Sequence, residues 1–216
     1  MSESTFRRYT NLASALHILR NRCLTLLSPE TWDDRNDAFF MSEYKRLRDV
    51  KSVLAICLAD REETYHHWSS PAGLTVCASS SIVTSYWLRS TGQKGVIHRY
   101  VTYELLSNAN TMRDVDLQIL PFTKRWPYGD EREYRAVFVS ADDRLKAFLV
   151  PVELAAIKRI TLSPWLAPAL VDSVKDTLKL LAGCKGMGIY RSTLIDNKQW
   201  QKLAGRVAPA PSIPST

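Results

Sequence analysis

A chain of 216 residues and 24.5 kDa, 45% hydrophobic and 24% charged, is long enough and apolar enough for a real core, which excludes disorder as the default state. Its apolar runs stop well short of the roughly 20 residues of a membrane span, and MSESTFRRYT puts acidic and polar residues where a secretory signal needs a basic and then an apolar stretch, so neither a transmembrane protein nor an exported one is expected. Cys23, Cys57, Cys77 and Cys184 are scattered, with no C-x-x-C pair, which fits a reducing cytoplasm, and the net charge of +7, concentrated in residues 151–216, favours polyanionic partners or a solvated basic surface.

Phe6 to Thr10 alternates bulky and polar residues as a strand does, and Asn11 is a natural cap for a helix with Leu12, Ala15, Leu16 and Leu19 on one face. A short strand, Cys23 to Ser28, follows. Pro29 to Phe40 mixes Pro, Trp32, acids and Asn36, and reads as a functional or capping loop. Val53 to Ala59 reads as a buried strand, Glu62 to Ser69 as a short helix and Gly73 to Ala78 as another strand. The serines at 79–81 can cap a helix carrying Ile82, Val83, Tyr86 and Trp87, with a turn over 91–95 and a strand over Val96 to Tyr103.

Between Glu104 and Tyr128 little periodicity shows. Glu131 to Ser140 alternates with aromatic and β-branched residues as a strand, with Ala147 to Val150 as its hairpin or meander partner. Ile160 to Ser163 is a further strand. Leu170, Val171, Val174, Leu178 and Leu181 recur at helical spacing and predict a helix from about Ala167 to Ala182, with Gly183 at its C-cap. Gly188 to Leu194 returns as a strand, and residues 205–216 form a Pro-rich tail expected to be disordered. Short strands interleaved irregularly with a few helices predict a single α+β domain over 1–204, mostly antiparallel, with several flanking helices.

No G-x-G-x-x-G, P-loop, G-x-S-x-G or H-E-x-x-H motif is present. His66 and His67 would point about 100° apart on a helix and do not suit one metal ion; a surface role and a ligand contact beside Trp68 both remain open. Three other groups can carry chemistry. Arg8, next to Tyr9 and on the face of Phe6 and Thr10, needs an anion if buried, either an internal carboxylate or a ligand phosphate. Glu131 and Glu133, at i, i+2 in a strand, share one face, as a charged sheet edge or as a paired acid site. Ser79, Ser80 and Ser81 can cap a helix or hold a sugar. Trp68, Tyr86, Trp87, Trp126 and Tyr128 offer rings for stacking on a planar ligand, although large aromatics mostly fill cores.

RYT at 8–10, LRNRCLTLLSPETWDDRND at 19–37, the segment 68–73 and WPYGDEREYR at 126–135 together resemble the bacterial Domain of Unknown Function 2971 family. Tyr9, Ser28, Pro29, Asn36, Asp37, Trp126, Glu131, Glu133, Tyr134 and Arg135 occupy its characteristic places. Ala38 stands where that family usually has Pro, and TYHHWSS departs from its Trp-x-His-Tyr arrangement. That family has no settled activity. A second resemblance is to the ADP-ribosyltransferases of the Arg, Ser-Thr-Ser, Glu-x-Glu class, which cleave NAD. It maps Arg8, Ser79 with Ser80, and Glu131 with Glu133 onto that pattern, and implies an ADP-ribosyltransferase-like fold.

The second resemblance implies NAD as substrate and no metal. In it Glu133 stabilises oxocarbenium character, Glu131 manages the acceptor, Arg8 holds a phosphate or ribose beside Tyr9, and an aromatic such as Trp68 or Tyr86 stacks on nicotinamide. The expected function is therefore a bacterial, cytoplasmic transferase modifying a macromolecular acceptor in a toxin or antiphage setting. The competing expectation is a non-enzymatic nucleic-acid or protein binding module that uses the C-terminal charge excess. A metal-dependent hydrolase would have only Asp33, Asp34, Asp37 and the His pair to work with.

Overall fold

The computed structural model of the protein describes residues 5–68, 73–79, 96–109, 111, 115–203 and 206. In chain order the elements are β1 (Thr5–Asn11), α1 (Leu12–Asn21), β2 (Cys23–Leu27), α2 (Arg35–Leu47), β3 (Ser52–Ala59), β4 (Gly73–Ser79), β5 (Val96–Tyr100), β6 (Thr102–Glu104), α3 (Leu106–Ala109), β7 (Thr123–Arg125), β8 (Glu133–Ser140), β9 (Ala147–Pro151), β10 (Ile157–Leu162), α4 (Pro168–Lys179), β11 (Gly188–Arg191) and α5 (Lys198–Gln201). Single 3-10 turns cover Pro29–Thr31, Tyr65–Trp68, Leu120–Phe122, Trp126–Glu131 and Leu154–Ala156.

Among the described residues nine strands form one sheet in the order β11-β10-β4-β1-β3-β2-β9, with β8 added on β3 and β5 on β8. Its pairings are antiparallel except β10 with β11, and β6 and β7 make a separate parallel pair. The chain is thus α+β and mostly antiparallel, as its element pattern predicts.

β3 is the pivot. One edge pairs with β8 along its full length, from Ser52 opposite Ser140 to Ala59 opposite Glu133. The other edge meets β2 at Ala55 opposite Leu27 and β1 at Ala59 opposite Arg7. β1 and β2 therefore splay apart on that edge, and between the two bridges the Cys57 carbonyl accepts Nη1 of Arg8 at 3.0 Å.

Side chains alternate across a strand, so each face of the β3–β8 ribbon has its own core. Leu54, Ile56 and Leu58 pack with Ala136 and Phe138 against α1 and α4. Val53, Ala55 and Val137 pack with Met41 and Tyr44 of α2 and with Phe122. The same alternation sends Cys57, Glu133 and Arg135 to the α2 side, at the end of the ribbon where β1 crosses. Fold and site are joined by that one parity.

Several boundaries differ from the sequence reading. Residues 29–40 are a 3-10 turn followed by α2, because Asp34 accepts from the Asn36 and Asp37 amides and caps a helix that Met41 and Tyr44 anchor by burial. Of the helix expected over 62–69, residues 62–68 are described and form only the turn Tyr65–Trp68. The 96–103 strand breaks at Val101, whose amide bonds to the Glu133 carbonyl. The 104–128 stretch holds α3, β7 and the turn Leu120–Phe122.

β9 pairs with β2 and not with β8, since β3 and β5 already occupy both edges of β8. α4 ends at Lys179, three residues before the expected Ala182, while Gly183 adopts φ +87 beyond it. The serine-capped helix over 80–87 and the turn at 91–95 lie outside the described residues, as does the Pro-rich tail from 205 apart from Arg206. Among the described residues no helix is long and apolar enough to cross a membrane.

Candidate active site

A cleft of about 340 Å³ opens at the Cys57–Ala59 end of β3. Arg7, Arg8 and Tyr9 of β1 form one wall; Trp32, Asp34 and Asp37 around the start of α2, with Lys124, Glu131 and Glu133, form the other; His66 and His67 close the rim. Arg8 and the two glutamates, more than 120 positions apart in sequence, therefore face one concavity.

The acidic wall is organised by Arg135, which is fully buried. Its Nη1 and Nη2 grip Asp37 Oδ1 and Oδ2 at 2.9 and 2.8 Å, Nε and Nη2 grip Glu133 Oε1 and Oε2 at 2.6 and 3.0 Å, and Nη1 also reaches the Pro121 carbonyl at 2.8 Å. All five guanidinium N–H groups are thereby used, and the plane lies 4.9 Å from the Trp32 ring. A charge can be this deeply buried only when paired so completely.

Lys124 completes the cluster, its Nζ 2.7 Å from Glu131 Oε2, 3.3 Å from Glu133 Oε2 and 4.6 Å from the centre of the Tyr128 ring. Three carboxylates face two cations. Among the described residues no group of three or more His, Cys, Asp or Glu side chains is arranged to hold a metal ion.

The two glutamates differ electrostatically. Burial alone would raise Glu133, but the charge and hydrogen bonds of Arg135, with Lys124 and the Cys57 thiol, outweigh it and hold the carboxyl at about 2. Burial raises Glu131, Lys124 offsetting part of the effect. Glu133 is thus held as an anion, while Glu131 is shifted in the opposite direction. They meet by a route the strand reading did not contain: Glu131 ends the 3-10 turn, Arg132 turns through φ 44, and β8 starts only at Glu133.

The opposite wall is a set of donors. Arg8 reaches Cys57 O, and no carboxylate among the described residues forms an ion pair with it, whereas Arg7 pairs with Glu62 at 2.6 Å. Tyr9 stacks on His67 with ring centres 4.2 Å apart and meets the edge of Trp68 at 5.4 Å. Trp68 is buried against Tyr9, donates to Glu63 at 3.1 Å and is not among the cleft-lining residues, so it supports the wall, and Trp32 lines the cleft along with the rings of Tyr9, His66 and His67.

His67 Nδ1 accepts from the Thr64 amide at 3.2 Å, which places the ring proton on Nε2. That Nε2 and the Tyr9 hydroxyl are both buried without a partner among the described residues, on residues that line the cleft. Orphaned buried polar atoms are rare in proteins, and two of them here sit on cleft-lining residues. His66, by contrast, is engaged with Asp130 at 3.0 Å. Ser79 ends β4 opposite Thr5, while its side chain, Ser80 and Tyr86 lie outside the described residues.

Of the residues singled out from the sequence, the structure brings Arg8, Tyr9, Glu131 and Glu133 to one cleft; Lys124, Trp32 and the central place of Arg135 were not singled out there. For Arg135 a signal existed. An Arg two places after an acid in a strand of aromatic and β-branched residues shares that acid's face and must be neutralised there.

His67 yields a pH prediction. Burial, then the charge of His66, lowers it to about 4 from an ordinary 6.5. The unfolded chain binds the proton first as pH falls, so the contribution of neutral His67 is complete above pH 6.5 and is lost as pH drops toward 4. Between pH 7 and 5, above the main carboxylate range, the melting temperature should fall more steeply for wild type than for His67→Phe; equal slopes in calorimetry would refute this.

No family model and no curated relative matches the chain, so the first family resemblance finds no support there. Three solved structures of Thermus sp. 2.9 DarT, in complex with ADP-ribosylated ssDNA, with NAD+ and with carba-NAD+, are similar in backbone arrangement. Their TM-scores are 0.43, 0.41 and 0.41, their identities 11%, 10% and 11%, and the matches cover 89% of this chain and 95%, 96% and 97% of those chains.

Proposed function

We propose that the chain is an NAD-consuming ADP-ribosyltransferase whose cleft lies between β1 and the Glu131–Glu133 cluster, with a nucleic acid or another macromolecule as acceptor. One observation carries this reading: the cleft is bipolar. Arg7, Arg8, Tyr9 and His67 carry the donors of one wall, the Tyr9 hydroxyl and His67 Nε2–H lying buried just behind its surface, while the other holds Glu133, kept ionised by Arg135, beside Glu131, which burial shifts upward. A ligand suited to both walls is rich in acceptor oxygens at one end and cationic at the other, which describes the pyrophosphate and the pyridinium of NAD.

In this reading the bond between the ribose C1′ and the pyridinium nitrogen breaks heterolytically, the electron pair leaving with neutral nicotinamide. Positive charge develops on C1′ and the ring oxygen, and the fixed anion Glu133 stabilises it. Glu131, whose proton affinity burial raises, accepts the proton of the acceptor nucleophile as that group bonds to C1′. Arg8 holds a phosphate, and Trp32, already stacked on Arg135, is the ring placed to cover a planar base.

The test mixes purified protein with NAD and, separately, single-stranded oligonucleotides and a protein mixture, and follows nicotinamide release by mass spectrometry. Wild type should release nicotinamide. Glu131→Gln should lower kcat about 10²-fold, the range of a lost general base, and Arg8→Gln should raise KM with a smaller effect on kcat. No release with any acceptor would leave the binding-module reading in its place.

A further inference from the structure

At the other end of β3, roughly 17 Å from the cleft at about 3.3 Å per residue, lies a second and larger groove of about 620 Å³, lined by Lys45, Lys51, Arg144 and Lys146 together with Ser28 and Glu30. Glu30 is the one acid in its lining and is occupied by Lys45 at 3.2 Å. Lys51, Arg144 and Lys146 form no ion pair among the described residues. Asp49, Asp142 and Asp143 are close in sequence, but none of them lines the groove.

The groove is held by the fold. The Ser52 hydroxyl, buried at the first position of β3, donates to the Asp143 carbonyl at 2.6 Å and accepts from the Leu145 amide at 2.7 Å. The Lys51 amide donates to the Ser140 carbonyl at 2.9 Å. These bonds pin the 141–146 connection, with Arg144 and Lys146, beside Lys51, while α2 brings Lys45. Four cations from three separate stretches are gathered on a concave surface, an expensive arrangement electrostatically unless an anion shares it.

We propose that this groove binds the phosphate backbone of a nucleic acid, independently of the cleft. Its concavity gathers Lys51, Arg144 and Lys146 beside the paired Lys45 and Glu30, a cationic surface that suits a run of phosphates; Val50, Val53, Leu54 and Leu145 also line it, but among the described residues no aromatic ring does, so it offers no stacking platform for a planar small molecule. The prediction of basic contacts from composition placed them in residues 151–216; the folded chain gathers them instead from residues 45–51 and 144–146. The proposal goes beyond the transferase reading and does not rest on it, since its readout is binding in the absence of NAD.

The test measures binding of a fluorescent 20-nucleotide single strand by anisotropy from 50 to 200 mM salt. Engagement of three or four phosphates gives a slope of log affinity against log salt of about −2 to −3, a loss of roughly 20- to 50-fold over that range. K51Q/K146Q should make the slope shallower by about 1.4 with an unchanged melting temperature, while K175Q/K179Q on α4 should leave it as in wild type. An unchanged slope in K51Q/K146Q, an equal reduction in both variants, or binding of polyglutamate as tight as that of the oligonucleotide would each overturn the proposal.

Discussion

Replacing Arg135 by Met should destabilise the fold by about 3–5 kcal/mol, the range for removing one partner of a buried ion pair. The guanidinium holds Asp37 and Glu133 in bidentate contacts and caps the Pro121 carbonyl. Without it two buried carboxylates keep only Lys124, which lies 3.9 Å from Asp37 and 3.3 Å from Glu133. The loss comes from stranded charge more than from lost contacts. D37N/E133Q/R135M, which removes all three charges, should therefore be more stable than R135M alone. Urea denaturation decides between the accounts: a loss below about 1 kcal/mol for R135M, or a triple variant less stable than R135M, would show that the network does not bear on stability as argued.

That network also explains which features could be read from residue order. Local periodicity was sufficient for β1, the Asn11 cap and α1, for β3 and β4, and for most of β8, because each of these elements shows its buried face within its own few residues. α2 was hidden for a physical reason: its first turn is built of Asp, Arg and Asn residues that resemble a loop, and its anchoring faces become visible only once β3 and β8 supply the opposing wall. Arg135 and Asp37 are 98 positions apart, and no spacing rule joins them. Lys124 sits in a stretch without periodicity, so nothing local marked it as the group on which both glutamates close.

The pairing of Tyr9 with His67 shows the same limit in another form. Adjacent histidines judged as a helical pair point apart and look idle. In the folded chain the turn Tyr65–Trp68 lays His67 flat on Tyr9 and leaves His66 to Asp130, dividing the pair between a cleft wall and a surface contact. The two acids of E-R-E do line one cleft, but not by the strand spacing that predicted it. Strand alternation would bring the two acids together, but a left-handed Arg132 after a 3-10 turn does so instead, and it leaves only Glu133 in the grip of Arg135, which gives the two carboxyls unequal proton affinity.

That inequality sets the largest catalytic effect to be expected. Glu133→Gln keeps the shape of the side chain and can still accept from Arg135, but it removes the negative charge that faces the cleft. If this charge stabilises an oxocarbenium-like transition state, kcat for nicotinamide release should fall about 10²- to 10³-fold, in the range for a lost electrostatic stabiliser, with NAD affinity changed less than threefold. A structural role alone would move other quantities, because loss of one charge opposite Arg135 lowers the melting temperature and weakens NAD binding and turnover together. The decisive measurement is kcat beside Kd and melting temperature on the same sample, well below the melting point. A large fall in kcat with Kd preserved assigns Glu133 to the chemistry, whereas parallel losses in kcat and Kd confine it to holding Arg135.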